Sequence, residues 1–375
     1  MLLDYNQKAF FELLKAGLWE REGQLSLYKD IDYSAIMRLA EEQSVVGLVT
    51  AGFEHVSDVK VPQEWVLQFI GSTLQIEQQN KTMNEFVARL IEKLRKEDVY
   101  AILVKGQGIA QCYERPLWRS SGDVDLLLSD TNYDKAKKVL IPLATDVETE
   151  YTHFKHQGMT IEGWEVELHG TQHSRLSKRV DDGIDATQQE VFYGGKVRSW
   201  MNGSAQVFLP APDEDVIFVF THILHHFFFE GIGLRQICDW CRLLWTYKDS
   251  LNRELLESRI RKMGLMTEWK TFAAFAVKRL GMPVEAMPLF DNSDSHNANL
   301  EKKADKICKF VLEVGNFGHK QRRDYSGMSY LRRKFVSVWG RLSDMLRHFQ
   351  LFPKDSIVFF GGVLRSGLHA AVRGE

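Results

Sequence analysis

Two aspartates separated by one valine, at the head of an apolar run, constrain this chain more than any other stretch: Ser121-Gly122-Asp123-Val124-Asp125-Leu126-Leu127-Leu128. The run reads as a buried strand. Successive side chains on a strand point to opposite faces, so Asp123 and Asp125 project together while Val124 and Leu126 face the other way. Two neighbouring carboxylates repel, and burying them costs several kcal/mol unless something positive lies between them. A divalent cation is the simplest remedy. Oxygen-only ligands on a rigid strand suit Mg2+, which commonly sits on one or two carboxylates while it holds phosphates.

The rest of the chain must supply a core for that strand. With 375 residues, 44% hydrophobic and 26% charged, it has the composition of a globular protein with two or three domains. The formal net charge of -2 gives no overall field for nucleic acid or membrane. Cys112, Cys238, Cys241 and Cys308 are too few for a disulfide scaffold and point to a reducing compartment. The start, Met1-Leu2-Leu3-Asp4-Tyr5, lacks the regions of a signal peptide. The most apolar window, Val216 to Phe229, is short for a membrane span and carries three histidines, so it reads as a buried helix. A soluble, cytoplasmic protein is expected.

Periodicity divides the chain in three. Residues 1–97 are helical, with Phe10, Phe11, Leu13, Leu14 and Leu18 on one face and a long helix from Trp65 to Lys96. Residues 98–210 form a small α/β unit. It comprises a strand over Val99–Val104, the Lys105-Gly106-Gln107-Gly108 turn, a short helix from Ile109 and the Asp123 strand. A helix capped at Ser129 and strands over Met159–Leu168 and Ala205–Leu209 complete it. Pro210-Ala211-Pro212 marks a boundary, and residues 211–375 are helical again. The fold class is α+β: a small mixed sheet flanked by an N-terminal helical segment and a C-terminal helical domain. From Lys302 onward the chain carries fifteen basic against six acidic residues. That is either a solvated helical face or a surface for a polyanion, with Phe317, Tyr325, Tyr330 and Trp339 available to stack on bases or to fill a core.

A third carboxylate is expected where two metals and a nucleophile are managed together. Trp164-Glu165-Val166-Glu167-Leu168-His169 offers it. Alternation places Glu165, Glu167 and His169 on one face, from which Glu167 or Glu165 could reach the metals. A plain solvent-exposed acidic face is the competing reading. At the glycine turn, backbone N–H groups can approach phosphates and Lys105 adds a full charge. The spacing does not match the Walker phosphate loop.

Strand, glycine turn, short helix, Gly-x-Asp-x-Asp on a strand and a later acid on another strand resemble the polymerase-β-like nucleotidyltransferase superfamily. Within it, the chain resembles the bacterial group of uncharacterised nucleotidyltransferases. The residues that carry this closer likeness are Lys105-Gly106, Tyr113, Pro116, Arg119, Gly122 to Leu127 and Val166-Glu167-Leu168-His169. It continues through His222, His225-His226, Gly231 to Gln236, Asp239 and Gly315 to His319. The resemblance implies that Asp123, Asp125 and Glu167 bind two Mg2+ ions, with Glu167 assisting deprotonation of an acceptor hydroxyl. It also implies that Lys105, Gly106, Gln107 and Gly108, with Arg119, Ser121 and Gly122, hold a nucleoside triphosphate, ATP being the expected one. The reaction implied is transfer of a nucleoside monophosphate to a hydroxyl of an unknown small-molecule or macromolecular acceptor. A non-catalytic nucleotide-binding or partner-binding module on the same fold is the alternative. Two features depart from the superfamily: Gly106 is followed by Gln107 where serine or glycine is usual, and Gly106 to Asp123 is a long interval.

Outside that constellation, His222 and His226 share a helical face, as in a zinc pair. Burial among Phe227, Phe228 and Phe229 reads more simply as core packing, and a substrate-facing role is the next reading. Arg235, after Gly231-Ile232-Gly233, could present a guanidinium to phosphate or pair with Asp239 one turn on. Cys238 and Cys241 read as core, and His153 and His156 as surface residues near the active face. His169 faces the substrate side.

Overall fold

Turn chemistry decides the middle of the molecule. Glu162 and Gly163 both take positive φ, 51° and 82°, the geometry of a two-residue hairpin turn whose twist matches that of the strands it joins. The stretch expected as one strand over Met159–Leu168 is therefore a hairpin. Its register runs from Ile161 opposite Trp164 to His156 opposite His169. The computed structural model describes residues 3–150, 155–229, 231–316, 348–358 and 361. His153, Glu230, Phe317, Gly318, His319, Tyr325, Tyr330 and Trp339 lie outside the described residues, as does most of the basic C-terminal stretch.

Four helices come first: α1 (Tyr5–Trp19), α2 (Tyr33–Glu42), α3 (Val46–Glu54) and the 34-residue α4 (Gln63–Lys96). At the start of α1 the Asp4 carboxylate accepts from the Gln7 N–H at 2.7 Å, and the Gln7 side chain accepts from the Asp4 N–H at 3.3 Å. This reciprocal cap satisfies two donors that the first turn would leave open. At 1.5 Å per residue α4 is about 51 Å long, enough to run the full width of the sheet.

The mixed unit follows in the order β1 (Ile102–Val104), α5 (Gly106–Ala110), β2 (Asp123–Leu127), α6 (Asp130–Leu140), β3 (Asp146–Val147), β4 (His156–Ile161), β5 (Trp164–His169), α7 (Lys178–Tyr193), β6 (Val197–Asn202) and β7 (Ala205–Pro210). The seven strands form one sheet in the order β3-β4-β5-β2-β1-β7-β6. β2 runs parallel to β5 and β1 parallel to β7; the other neighbours are antiparallel. The expected α+β class with a small mixed sheet is what forms. β3, α7 and β6 were not anticipated. The polar–apolar alternation of Val197–Asn202 is weak because only one side of that edge strand is partly covered.

Helices complete the chain: α8 (Pro212–Phe229), α9 (Leu234–Thr246), α10 (Arg253–Met263), α11 (Met266–Leu280), α12 (Asn292–Ser295) and α13 (Ala298–Val314). Asp213, Glu214 and Asp215 fill the first turn of α8, where acidic charge complements the helix dipole. The apolar window Val216–Phe229 lies within this helix. No helix among the described residues is long and apolar enough to cross a membrane.

The two faces of the sheet are packed differently. On one, Leu103, Val124, Leu126, Val166 and Leu168 join Phe86, Val87, Leu90 and Leu94 of α4 and Tyr133, Ala136 and Leu140 of α6. Each fully buried Val or Leu contributes roughly 1.5–3 kcal/mol. On the other, Ile102, Val104 and Leu127 join a larger core shared by helices from both ends of the chain, including Phe10, Leu13, Val46, Phe220, Trp240 and Phe272. The Trp19 indole donates to the Leu280 carbonyl at 2.6 Å, and the Gln43 amide to the Val311 carbonyl at 3.0 Å. Beyond Leu127 this second face is not apolar, and there the site lies.

Candidate active site

The parallel pairing of β2 with β5 sets Asp123 opposite Glu165, Asp125 opposite Glu167 and Leu127 opposite His169. Since side chains alternate, all four carboxylates and His169 project from one face. β4 adds His156 beside His169. Asp125 Oδ1 accepts from Lys105 Nζ at 3.1 Å and from His169 Nε2 at 2.7 Å. Glu167 Oε2 lies 3.2 Å from both His156 Nε2 and His169 Nε2.

These neighbours fix the charge of each group. Burial alone would push the Asp125 carboxyl up, but Lys105 and His169 outweigh it and hold Asp125 below the ordinary carboxylate range. Burial acts on Glu167 in the same direction, and the hydrogen bonds from His156 and His169 reverse it strongly. Among the described residues Asp123 has no such hydrogen bonds, and only the nearby charges of Arg235 and Lys105 favour its anion. Burial, then the charge of Asp125, raises its pKa. Burial disfavours the His169 cation, yet the bonds to Asp125 and Glu167 raise its pKa.

Lys105 reaches Asp125 through an unusual backbone. Its φ of 58° and ψ of -144° are costly for a residue with a side chain, on the order of 1–3 kcal/mol. The next residue, Gly106, also has positive φ, 36°. This sharp turn between β1 and α5 aims the ammonium at Asp125 rather than letting the strand continue. Lys105 and Gly106 line the cavity. Gln107 turns the other way, donating to Asn80 Oδ1 at 2.8 Å and to Met83 Sδ at 3.1 Å. Gly108 is packed so closely that a Cβ there would lie 2.8 Å from Leu209 Cδ2. Of the four turn residues expected to hold phosphate, two face the cavity and two face the core.

The long loop before β2 is clamped from two sides. Asn80 of α4 donates to the carbonyls of Leu117 and Arg119, both at 2.7 Å. Arg119 makes a two-pronged pair with Asp239 of α9, Nε to Oδ1 at 2.9 Å and Nη2 to Oδ2 at 2.7 Å, and Nη1 donates to Ser121 Oγ at 2.7 Å. The Tyr113 hydroxyl donates to the same Asp239 at 2.7 Å. Asp239 is thus committed to Arg119, not to Arg235 as the helical spacing suggested. Arg235 instead donates from Nη1 to the Ser120 carbonyl at 2.9 Å, and burial, then the nearby Arg119 charge, lowers its pKa. Gly122 lines the cavity with Arg119 and Arg235.

Opposite the acids stands α8. His222 Nε2 and His226 Nε2 lie 2.9 Å apart, so they share a hydrogen bond, and burial followed by Lys105 and His226 pushes His222 well below the usual histidine range. His225 Nδ1 donates to the Ser174 carbonyl at 2.8 Å, tying α8 to the loop after β5. The two walls enclose a cavity of about 630 Å³, within the range of small-ligand sites. Thr171 Oγ1 and Gln172 Nε2 are buried there without a hydrogen-bond partner among the described residues. A polar ligand would supply one.

Sequence reasoning missed Asn80 and the role of Asp239, and read His156 as a surface residue near the active face, where the structure has it line the cavity. The signal for His156 was present: a turn at Glu162-Gly163 implies that residue 156 stands opposite 169. The Gly315-Asn316 motif is structural at its described end, since Asn316 Oδ1 accepts from Gln236 at 2.7 Å and its Nδ2 donates to Ser44 Oγ at 2.7 Å. All four cysteines are buried thiols.

Fold and site together define an α+β protein with an acidic, strand-borne floor beneath a helical wall. The chain matches the family described as uncharacterised nucleotidyltransferase over residues 29–281 and belongs to it. No curated protein and no solved structure matches it.

Proposed function

We propose that this protein is a Mg2+-dependent nucleotidyltransferase that moves a nucleoside monophosphate from a nucleoside triphosphate, ATP first among them, to a hydroxyl of an acceptor. The observation that carries this reading is the β2–β5 register, which gathers Asp123, Asp125, Glu165 and Glu167 at the floor of one cavity. The donor set suits the ion. Asp123 is disfavoured as an anion by burial and by Asp125, a penalty that a dication removes. Asp123, Asp125 and Glu167 would hold Mg2+. When bound, the ions would offset charge on the attacking and leaving oxygens of an in-line displacement.

The chain's own residues do the rest. Lys105 and Arg235 bring fixed positive charge to the polyphosphate, with Gly106 and Gly122 leaving room for its approach. Arg119 acts through position: locked to Asp239, it shapes the Ser120–Gly122 segment that leads into β2. Glu167, whose Oε2 faces two imidazole nitrogens, would assist deprotonation of the acceptor hydroxyl, and Glu165 adds an exposed carboxylate beside it. Incubation with each nucleoside triphosphate, Mg2+ and candidate acceptors should release pyrophosphate. Equal nucleotide affinity in wild type and the Asp123→Asn/Asp125→Asn double variant by titration calorimetry would sink the proposal.

A second reading, a nucleotide-binding module without turnover, draws on one observation: Asp125 already has two hydrogen-bond donors from the chain itself, Lys105 and His169. Tight nucleotide binding that is indifferent to Mg2+, with no pyrophosphate from any acceptor, would favour it.

A further inference from the structure

His156, Glu167 and His169 form a ligand set of a different kind from the aspartate pair. One atom from each lies within 4.8 Å of the other two. Both imidazole nitrogens stand 3.2 Å from the same Glu167 oxygen. Ligands about 2.0–2.1 Å from a tetrahedral zinc ion are separated by about 3.3 Å. The spacing around Glu167 therefore matches two edges of such a tetrahedron, and the third, between the two imidazole nitrogens, is within 4.8 Å.

Three adjacent positions on the sheet hold the set in place. His156 and His169 are a cross-strand pair of the β4–β5 hairpin, and Glu167 lies two residues before His169 on the same face. All three line the cavity, so an ion there would have protein on one side and an open position toward any ligand. Ligand softness separates this place from the Asp123–Asp125 edge. Mg2+ prefers oxygen and near-octahedral geometry, whereas imidazole nitrogen favours zinc and its neighbours in the first transition row. Two histidines and one carboxylate, with a fourth position open, are a donor set of catalytic zinc sites.

We propose that His156, Glu167 and His169 bind a zinc-class transition-metal dication next to the aspartate pair, where His169 Nε2 is 2.7 Å from Asp125 Oδ1, with Glu167 shared between this position and the proposed Mg2+ site. The claim concerns metal binding alone and does not depend on nucleotidyl transfer.

The test uses the full chain, freed of metal with a chelator and titrated in the absence of nucleotide. Co2+ should bind in one equivalent with visible absorption bands of a four- or five-coordinate N/O site. Zn2+ should displace it and bind at least about 100-fold more tightly than Mg2+. His156→Ala, at a half-buried position whose loss leaves no buried charge unpaired, should weaken Zn2+ at least about 100-fold while its melting temperature shows that it folds. His169→Asn should do the same. His222→Gln, across the cavity, should bind as wild type does. The proposal is overturned if Zn2+ binds no better than Mg2+, if His156→Ala and His169→Asn bind like wild type, or if the His222→Gln variant is the one that loses the ion. Absence of transferase activity with intact Zn2+ binding would count against the proposed function and leave this site standing.

Discussion

Asp125 and Glu268 are equally buried, each with 2% of its surface exposed, yet their protons behave oppositely. Asp125, on β2, has Lys105 and His169 against it and is held below the carboxylate range. Glu268, on α11, is pushed up to about 8 by burial and then by a hydrogen bond with Asp355. Burial by itself favours the neutral acid in both places. What differs is the company: a lysine delivered by a strained turn and a histidine delivered by strand register in one region, a second acid in the other. The site is therefore where the fold has spent conformational strain to keep a carboxylate charged, which a metal platform requires and a packing contact does not.

The largest effect should come from removing that charge. Asp125→Asn keeps the shape and should lower nucleotidyl transfer at least about 1,000-fold, as loss of electrostatic stabilisation does elsewhere, read as pyrophosphate release. Retained activity would mean that the buried charge at Asp125 is not needed for transfer. Lys105→Met should cost about 3–5 kcal/mol of stability in denaturant unfolding, because it removes the ammonium paired with the buried Asp125.

The pH profile separates the two acids. Asp125 is depressed in the fold, so its contribution is present above the unfolded pKa and is lost as pH falls through the folded value. Glu268 is raised, so its contribution is complete below the unfolded pKa and is lost as pH rises through about 8. Glu268→Gln should therefore raise the melting temperature increasingly as pH rises from the ordinary carboxylate range to about 8, and by a constant amount above that. A constant offset below about pH 8 would show that burial and Asp355 do not hold Glu268 protonated. Asn80→Ala should have the smallest effect, about 1–3 kcal/mol, from the Leu117 and Arg119 carbonyls and the Gln107 amide losing their partner. Its larger signature should be a weaker affinity for nucleotide, because the loop before Asp123 is no longer clamped.

Much of the site was legible as alternation. Asp123 and Asp125 on one strand, and Glu165, Glu167 and His169 on another, had to share faces because the strand period is two, and Val124, Leu126, Val166 and Leu168 had to be their buried complement. The turn residues were less transparent. Nothing in Lys105-Gly106-Gln107-Gly108 announces that Gln107 meets Asn80, 27 residues earlier, because that bond depends on where α4 crosses the sheet. The zinc-like spacing of His222 and His226 was real as spacing, and the structure uses it for a hydrogen bond between the two rings.

The sequence by itself determined which residues are acidic neighbours, which strands they occupy and which face of each strand is apolar, since these follow from local chemistry and a period of two. Only the tertiary structure decided that β2 lies beside β5 in the register that sets Asp125 next to Glu167, that Arg119 claims Asp239, and that α8 closes the cavity. Those outcomes rest on pairing between segments far apart in the chain, where one residue of slip would send the carboxylates of the slipped strand to the opposite face. The Asp-Val-Asp pair states the demand for a cation; the packing of distant elements determines what surrounds it.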